Sequence, residues 1–343
     1  MTETLQIKNT GPIKEANLTL KKVNLFIGKN GTGKSITGKI LQISRYKELG
    51  LSLKKGYVLD NYIDENSVIK YESDVKHNKN QLNEKVIKSL LNLENKDDKQ
   101  LVEIIKNLAL KEMELQSSYY IPAERNIVPF LSSYGVNFFS AKIPLPDYIL
   151  EFASNFRLAK DEVKEADIFE YKYKFENDED RIYMDKDNYI FLNESSSGVQ
   201  ALLPLKLTIP YLNKEIKKDY ILEEPELNLF PKEQFELVKF MVENSNSILF
   251  ISHSPYILVA LNILLFAYQV GNINEQTKKL VSKFIPQKFW INPDEFSGYC
   301  FDNGGVIDIA RNGLISDNYL DDVNDELNNL FDELLEIKVM NEK

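Results

Sequence analysis

The sequence predicts an α/β fold with a mixed sheet, an antiparallel β part and an inserted helical lobe, and without a long coiled coil. Three observations carry this prediction. A β-rich run, Val23-Asn24-Leu25-Phe26-Ile27, feeds straight into the glycine loop Gly28-Lys29-Asn30-Gly31-Thr32-Gly33-Lys34-Ser35, and Ile36, Ile40, Leu41 and Ile43 then recur at helical spacing. Two later strand-like runs, Asp219 to Leu222 and Ser247 to Ile251, are separated by helical stretches, as in an α/β sheet. The alternating runs Phe169 to Phe175 and Arg181 to Tyr183 bracket Glu176-Asn177-Asp178-Glu179-Asp180, a hairpin signature.

Taken in order, Leu5-Gln6-Ile7 is a short strand, Gly11-Pro12 marks a turn, and Ala16 to Leu20 alternates as a second strand. Residues 46–118 are rich in Lys, Asn, Asp and Glu and read as an inserted, mainly helical lobe. Within it Gly56 to Tyr71 has room for a small strand pair, and Leu101, Ile104, Ile105 and Leu108 keep helical spacing. Sustained heptads are missing, which excludes a long coiled coil. Ser118 to Pro122 reads as a strand end, 145–165 as a helix, and Asn193 to Gln200 as a serine-rich loop opening a helix over Ala201 to Tyr211. The tail carries Leu320, Val323, Leu327, Leu330, Phe331 and Leu334 on one face of an amphipathic helix.

A length of 343 residues and 43% hydrophobic content suffice for one large domain with insertions or two smaller lobes. No apolar run is long enough to span a bilayer, and the N-terminus lacks a signal-peptide layout, so a soluble, cytoplasmic protein is expected. The lone Cys300 has no internal disulfide partner and lies in an apolar alternating stretch, as a structural thiol does. A formal charge of -10 argues against a dedicated nucleic-acid coat, although a local basic groove is compatible with it. Of the two histidines, His77 sits in a polar stretch and reads as solvated, and a His-rich metal site is excluded.

Four segments carry chemistry. The glycine loop matches G-x-x-x-x-G-K-[ST] in full, between strand and helix. Its backbone N–H groups suit phosphate oxygens, with Lys34 reaching the β and γ phosphates and the Ser35 hydroxyl on Mg²⁺. The loop residues Gly28, Asn30, Gly31, Thr32, Gly33, Lys34 and Ser35, with Ile36, form the expected ATP-binding set. Second, Tyr220-Ile221-Leu222-Glu223-Glu224-Pro225-Glu226 ends a β-rich run in carboxylates. Alone, such a pair is usually solvated charge. Beside a phosphate loop, Glu223 suits a magnesium ligand and Glu224 a base that activates water. Third, Ile248 to Pro255 ends a strand in Ser252-His253-Ser254; His253 either caps the strand end or donates to a γ-phosphate. Fourth, Ser195-Ser196-Ser197-Gly198-Val199-Gln200 offers N–H and O–H donors to an anion, and in isolation reads as an ordinary N-cap.

The order of these four segments resembles the ATP-binding-cassette ATPase head, in its soluble RecF/SMC-like and OLD-like branch. The resemblance runs from Leu5 to about Leu258. It implies that GKNGTGKS is the Walker A motif and ILEEPE is Walker B, with Glu223 at the magnesium position and Glu224 as catalytic base. It also makes ESSSGVQ the signature loop, in a lobe over about 126–212, and His253 the γ-phosphate sensor. Residues 1–45 and 119–343 would then form the head. Tyr120 to Arg125 resembles a motif of OLD-like ATPases at the glutamine-loop place, with either Glu124 or Arg125 acting there. Glu223 departs from the usual Asp, and Ser197 from the usual Gly.

The resemblance further implies a head-to-tail homodimer or higher homo-oligomer, in which Ser196, Ser197 and Gly198 meet ATP bound to the other subunit, with Lys34, Glu224 and His253 catalytic. The tail lacks the acidic set of a Toprim domain, and the EEPE and SSSG forms fit a transporter subunit poorly. The chain is similar to the ATPase subunits of anti-phage systems such as Septu and PARIS, which act with a separate nuclease or toxin effector. The alternatives are a RecF-like ATPase that binds DNA ends and a non-hydrolysing ATP-dependent assembly. The final helix or the 46–118 lobe either docks the effector or covers the chain's own core.

Overall fold

The computed structural model describes residues 2–48, 59, 62–73, 118–132 and 145–316. The N-terminal strands β1 (Glu3–Thr10), β2 (Ile13–Leu20) and β3 (Val23–Gly28) lead to helix α1 (Lys34–Glu48). Strands β4 (Val68–Ser73) and β5 (Tyr119–Ile121) follow, then α2 (Asp147–Glu162). Next come β6 (Glu165–Ile168), β7 (Tyr171–Glu176), β8 (Glu179–Tyr183), β9 (Tyr189–Phe191) and α3 (Ser197–Leu212). The remainder is β10 (Asp219–Glu223), α4 (Pro231–Asn244), β11 (Ser247–Ile251), α5 (Pro255–Gly271), α6 (Glu275–Phe284), β12 (Phe296–Asp302) and β13 (Gly305–Asp308), closed by β14 (Ala310–Arg311) and β15 (Leu314–Ile315).

The central sheet has the order β13-β12-β3-β11-β10-β5. All its neighbours run parallel except the edge strand β13, which is antiparallel to β12. Strands β3, β10 and β11 are buried at every position, as a sheet covered on both faces requires. Their side chains divide by the period of two. Leu25, Ile27, Tyr220, Leu222, Ile248 and Phe250 enter one core, with Leu237, Met241, Leu258 and Leu261 of α4 and α5. Phe26, Ile221, Leu249 and Ile251 enter the other, with Ile40 and Leu41 of α1 and residues of β1 and β2.

The three N-terminal strands do not share one sheet. β1 and β2 alternate buried and exposed residues and form an antiparallel sheet in the order β2-β1-β4, packed on the α1 side. Only β3, buried at all six positions with its one polar side chain, Asn24, hydrogen-bonded to Lys21 O and Ile248 O, is suited to the two-sided centre. In the stretch read as a mainly helical lobe, the described part holds β4, which pairs with β1 from Glu3↔Ser73 to Lys8↔Val68 rather than with a local partner. The helical pattern at 101–108 and the amphipathic tail at 320–334 lie outside the described residues.

The third sheet is an antiparallel meander, β6-β7-β8-β9. The hairpin expected at 169–183 is present, and Asn177 and Asp178 form its two-residue turn with φ of 54° and 61°. Two successive positive φ values match the right-handed twist of the strands. A buried ion pair, Lys160 Nζ to Asp180 Oδ2 at 2.7 Å, ties α2 to β8, and Tyr173 donates to the same carboxylate.

Candidate nucleotide site

Four parallel strands in the adjacent order β3, β11, β10, β5 end on one edge of the sheet. Parallel strands of an open α/β sheet direct their carboxyl ends to a single ligand-binding edge. The glycine loop, the Ser252-His253 tip, the Glu223-Glu224 tip and the Pro122–Arg125 turn therefore meet there.

The glycine loop is dictated by sterics. Gly28 has φ 145°, and a Cβ on it would stand 2.4 Å from the Phe301 carbonyl of β12. Gly33 has φ 102°, and a Cβ would meet Ile13 at 2.6 Å. Gly31, at φ 78°, faces open space. Thr32 Oγ1 donates to Lys29 O at 2.9 Å, and the Thr37 N–H and hydroxyl both donate to Gly33 O. Asn30 and Ser35 are exposed, and Ile36 is half-buried. Lys34 is 6% exposed, and its Nζ donates to Gly28 O at 2.7 Å and to Lys29 O at 2.8 Å. Burial pulls the ammonium pKa below its ordinary value, against the opposing pull of Glu224 and Glu226. Lys34 thus closes the loop on its own carbonyls, within reach of anything the loop cradles.

Glu223 is buried, and its Oε1 has no hydrogen-bond partner. An unpaired carboxylate oxygen in such a place is costly unless a cation completes it. Glu223, with the exposed Ser35 hydroxyl on the first turn of α1, fits a divalent cation.

Glu224 takes φ 45°, a strained value for a side chain of its size. Its N–H donates to Ile251 O at 2.9 Å, and its carbonyl accepts from Leu227 N–H and from Arg125. Its carboxyl is pushed up to about 7, first by burial and then by the neighbouring Glu226. His253 Nδ1 lies 2.6 Å from Glu224 Oε2. Near-neutral titration and an adjacent imidazole are properties of a group poised to accept a proton from water.

Glu226 is the residue that sequence reasoning missed. It accepts both contacts of the Ser252 hydroxyl at 2.9 Å and the His253 N–H at 2.8 Å, and it stands 3.2 Å from His253 Nδ1. It therefore moors the β11 tip to the β10 tip. Its signal in the sequence was its place in Glu-Glu-Pro-Glu, which names no partner.

Arg125 is corrected by the structure. It is 0% exposed, so it does not reach a nucleotide directly. Its guanidinium donates to the carbonyls of Glu223 and Glu224, each at 2.7 Å, and to Pro122 O at 3.3 Å. Burial pulls its pKa down to about 10. Its place is behind the acidic tip, bracing the strained Glu224 backbone. Glu124 beside it is exposed.

Ser196 is the N-cap of α3, accepting from Val199 N–H at 3.4 Å. Ser196 and Ser197 are exposed. Gly198 faces Asn228 O, where a Cβ would stand at 3.0 Å, and Leu229 lies beyond. The turn thus abuts the loop that follows the acidic tip.

Residues 144–258 match the AAA ATPase domain family. The matched stretch contains the serine–glycine turn, the acidic tip and His253. The glycine loop lies upstream of it and is independent of the match. No curated protein matches the chain. The chain is similar to the Smc head bound to the C-winged helix domain of ScpA, at 11% identity and TM-score 0.42, over 90% of this chain and 97% of that one. It is similar to the Pyrococcus furiosus Smc head domain with an extended coiled coil, bound to the C-terminal domain of ScpA, at 11% identity and TM-score 0.37, over 95% and 99%. The SMC head domain from Thermotoga maritima follows at 12% identity and TM-score 0.34, over 90% and 98%.

A complete phosphate loop on the edge of a parallel sheet, beside the acidic Glu223-Glu224 tip and His253, has the makings of a nucleoside triphosphatase. Together with the matched domain, these features make the chain an ATPase. No helix among the described residues is long and apolar enough to cross a membrane.

Proposed function

We propose that ATP closes two copies of this chain head to tail, that hydrolysis reopens them, and that this cycle sets the state of a separate effector. The observation that carries the reading is the exposed Ser196-Ser197 pair on the helix-opening turn of α3, with donors free to meet a phosphate on another copy. In the hydrolytic step Glu224 takes the proton of the attacking water, oxygen bonds to the γ-phosphorus, and the bond to the ADP oxygen breaks. Lys34 holds the β and γ phosphates, and His253 donates to the γ-phosphate. Ser35 and Glu223 would hold Mg²⁺, which neutralises phosphate charge when bound. Closure is a differential-affinity switch, because the ATP-bound form alone supplies ligands to both walls.

The similarity to Septu and PARIS ATPase subunits supports a nuclease or toxin as effector and anti-phage defence as the setting. The charge of -10 disfavours direct DNA gripping. The test is the mass in solution of Glu224→Gln with ATP and Mg²⁺. A dimer with ATP, a monomer with ADP, and loss of the dimer in Glu224→Gln/Ser197→Arg are expected. A Glu224→Gln chain that saturates with ATP and stays monomeric overturns the reading. In cells, Glu224→Gln should abolish phage protection by the chain with its neighbouring gene. A salt-dependent, ATP-steepened affinity for DNA ends would instead favour the RecF-like alternative.

A further inference from the structure

The turn that carries His253 is held from two sides by buried side chains. On the β10 side, Glu226 accepts from the Ser252 hydroxyl at 2.9 Å and from the His253 N–H at 2.8 Å. On the α4 side, Gln234 Oε1 accepts from the Ser254 hydroxyl at 2.8 Å. Ser254 joins the two sides, because its N–H donates to Ser252 Oγ at 2.9 Å. It also caps α5, accepting from Tyr256 N–H. Glu226, Gln234, Ser252 and Ser254 are all buried, whereas the His253 they surround is exposed.

Gln234 makes a second contact, since its Nε2 donates to Leu229 O at 2.9 Å. Leu229 ends the tight turn that begins at Glu224. In that turn Leu227 N–H donates to Glu224 O, Leu229 N–H donates to Glu226 O, and Asn228 takes φ 59°. Asn228 O is the group that Gly198 faces at the opening of α3. One amide therefore holds the His253 turn by its oxygen and the turn under the serine–glycine loop by its nitrogen. Packing does not call for a glutamine here, because Leu237, Val238 and Met241 of α4 already share a core with Leu258 and Leu261 of α5. A buried line in which each side chain has its partner instead fixes one arrangement of the backbone around it.

We propose that Gln234 is a positioning residue for His253, and that through Ser254, Ser252 and Glu226 it ties the place of the imidazole to the 227–229 turn beneath Gly198. With His253 donating to the γ-phosphate, the reading on which this rests, a shift of the imidazole on loss of that phosphate is passed to the serine–glycine turn. Gln234 is buried behind the tip and acts on hydrolysis through the histidine.

Imidazole nitrogen resonances test this in the nucleotide-free full chain, which has two histidines, so that His77→Gln assigns the spectrum. Gln234→Met keeps the length of the side chain and removes both bonds. It should move the resonances of His253, and so should Ser254→Ala. Parental His253 resonances in both variants overturn the proposal. In hydrolysis each variant should lower kcat roughly fivefold, the size of one hydrogen bond, and change KM for ATP by less than about twofold. Because both cut the same bond, the double variant should lose far less than the product of the two. Losses that multiply in full, or a lowered Tm with parental kcat, overturn the proposal. The nucleotide-free spectrum needs neither closure nor turnover, so it judges Gln234 separately from the head-to-tail reading, which the mass of Glu224→Gln judges.

Discussion

The Nδ1 of His253 lies 2.6 Å from Oε2 of Glu224. The pair joins the tips of β11 and β10, which are neighbours in the sheet. Glu226 moors the same histidine through its backbone N–H. The base and the γ-phosphate sensor proposed for this site are therefore in direct contact. Substituting either should disturb the other.

Glu224→Gln keeps the size of the side chain and removes its proton affinity. ATP hydrolysis should fall by roughly a hundredfold or more, while nucleotide still binds. Phosphate release and nucleotide retention are the two measurements. Parental turnover would remove Glu224 from the catalytic role.

The raised pKa of Glu224 has a definite sign in stability. Its carboxyl titrates at about 7 in the folded chain, against 4.5 ordinarily. Between those values the folded form holds a proton that the unfolded form has lost. Stability therefore falls as pH rises through that window. Denaturant unfolding of the nucleotide-free chain should show this fall, and Glu224→Gln should flatten it. Activity moves the other way, rising with pH through about 7 as the base ionises.

Arg125→Met should destabilise the chain by about 2–4 kcal/mol, because the carbonyls of Glu223 and Glu224 lose a charged donor. If Arg125 positions Glu224, Arg125→Lys restores part of the stability and lowers kcat with little change in KM. A raised KM at unchanged kcat would point to nucleotide contact instead.

Lys34→Ala removes the ammonium that bonds Gly28 O and Lys29 O. ATP affinity should drop by roughly tenfold or more, the loss of one charge-assisted phosphate contact. Calorimetric titration with ATP reads this directly.

Gly28→Ala forces a Cβ to 2.4 Å from the Phe301 carbonyl at φ 145°. The cost should be at least ~2 kcal/mol, seen as a lowered Tm, with nucleotide binding lost alongside. The clash is with backbone, so no rotamer change relieves it.

Much of the site was legible because its parts are local. A glycine loop needs its glycines at set positions whatever surrounds it, and the apolar runs of β3, β10 and β11 mark strands buried on both faces. What was not legible depends on distant backbone. Arg125 lies 98 residues from the Glu223 carbonyl it binds, and Asn262 lies 53 from Ile315. β12 enters the sheet beside β3, although its sequence showed only apolar alternation.

By itself, the sequence determined the strand–loop–helix unit, the acidic strand tip and the hairpin at 169–183, because backbone sterics and side-chain periodicity act over a few neighbours. Only the tertiary structure decided which tips share an edge, that Glu226 rather than solvent receives Ser252, and that Arg125 faces inward. Those outcomes follow from strand order. Parallel strands can be neighbours in space only through long crossovers, and no short-range pattern records which strand lies beside which.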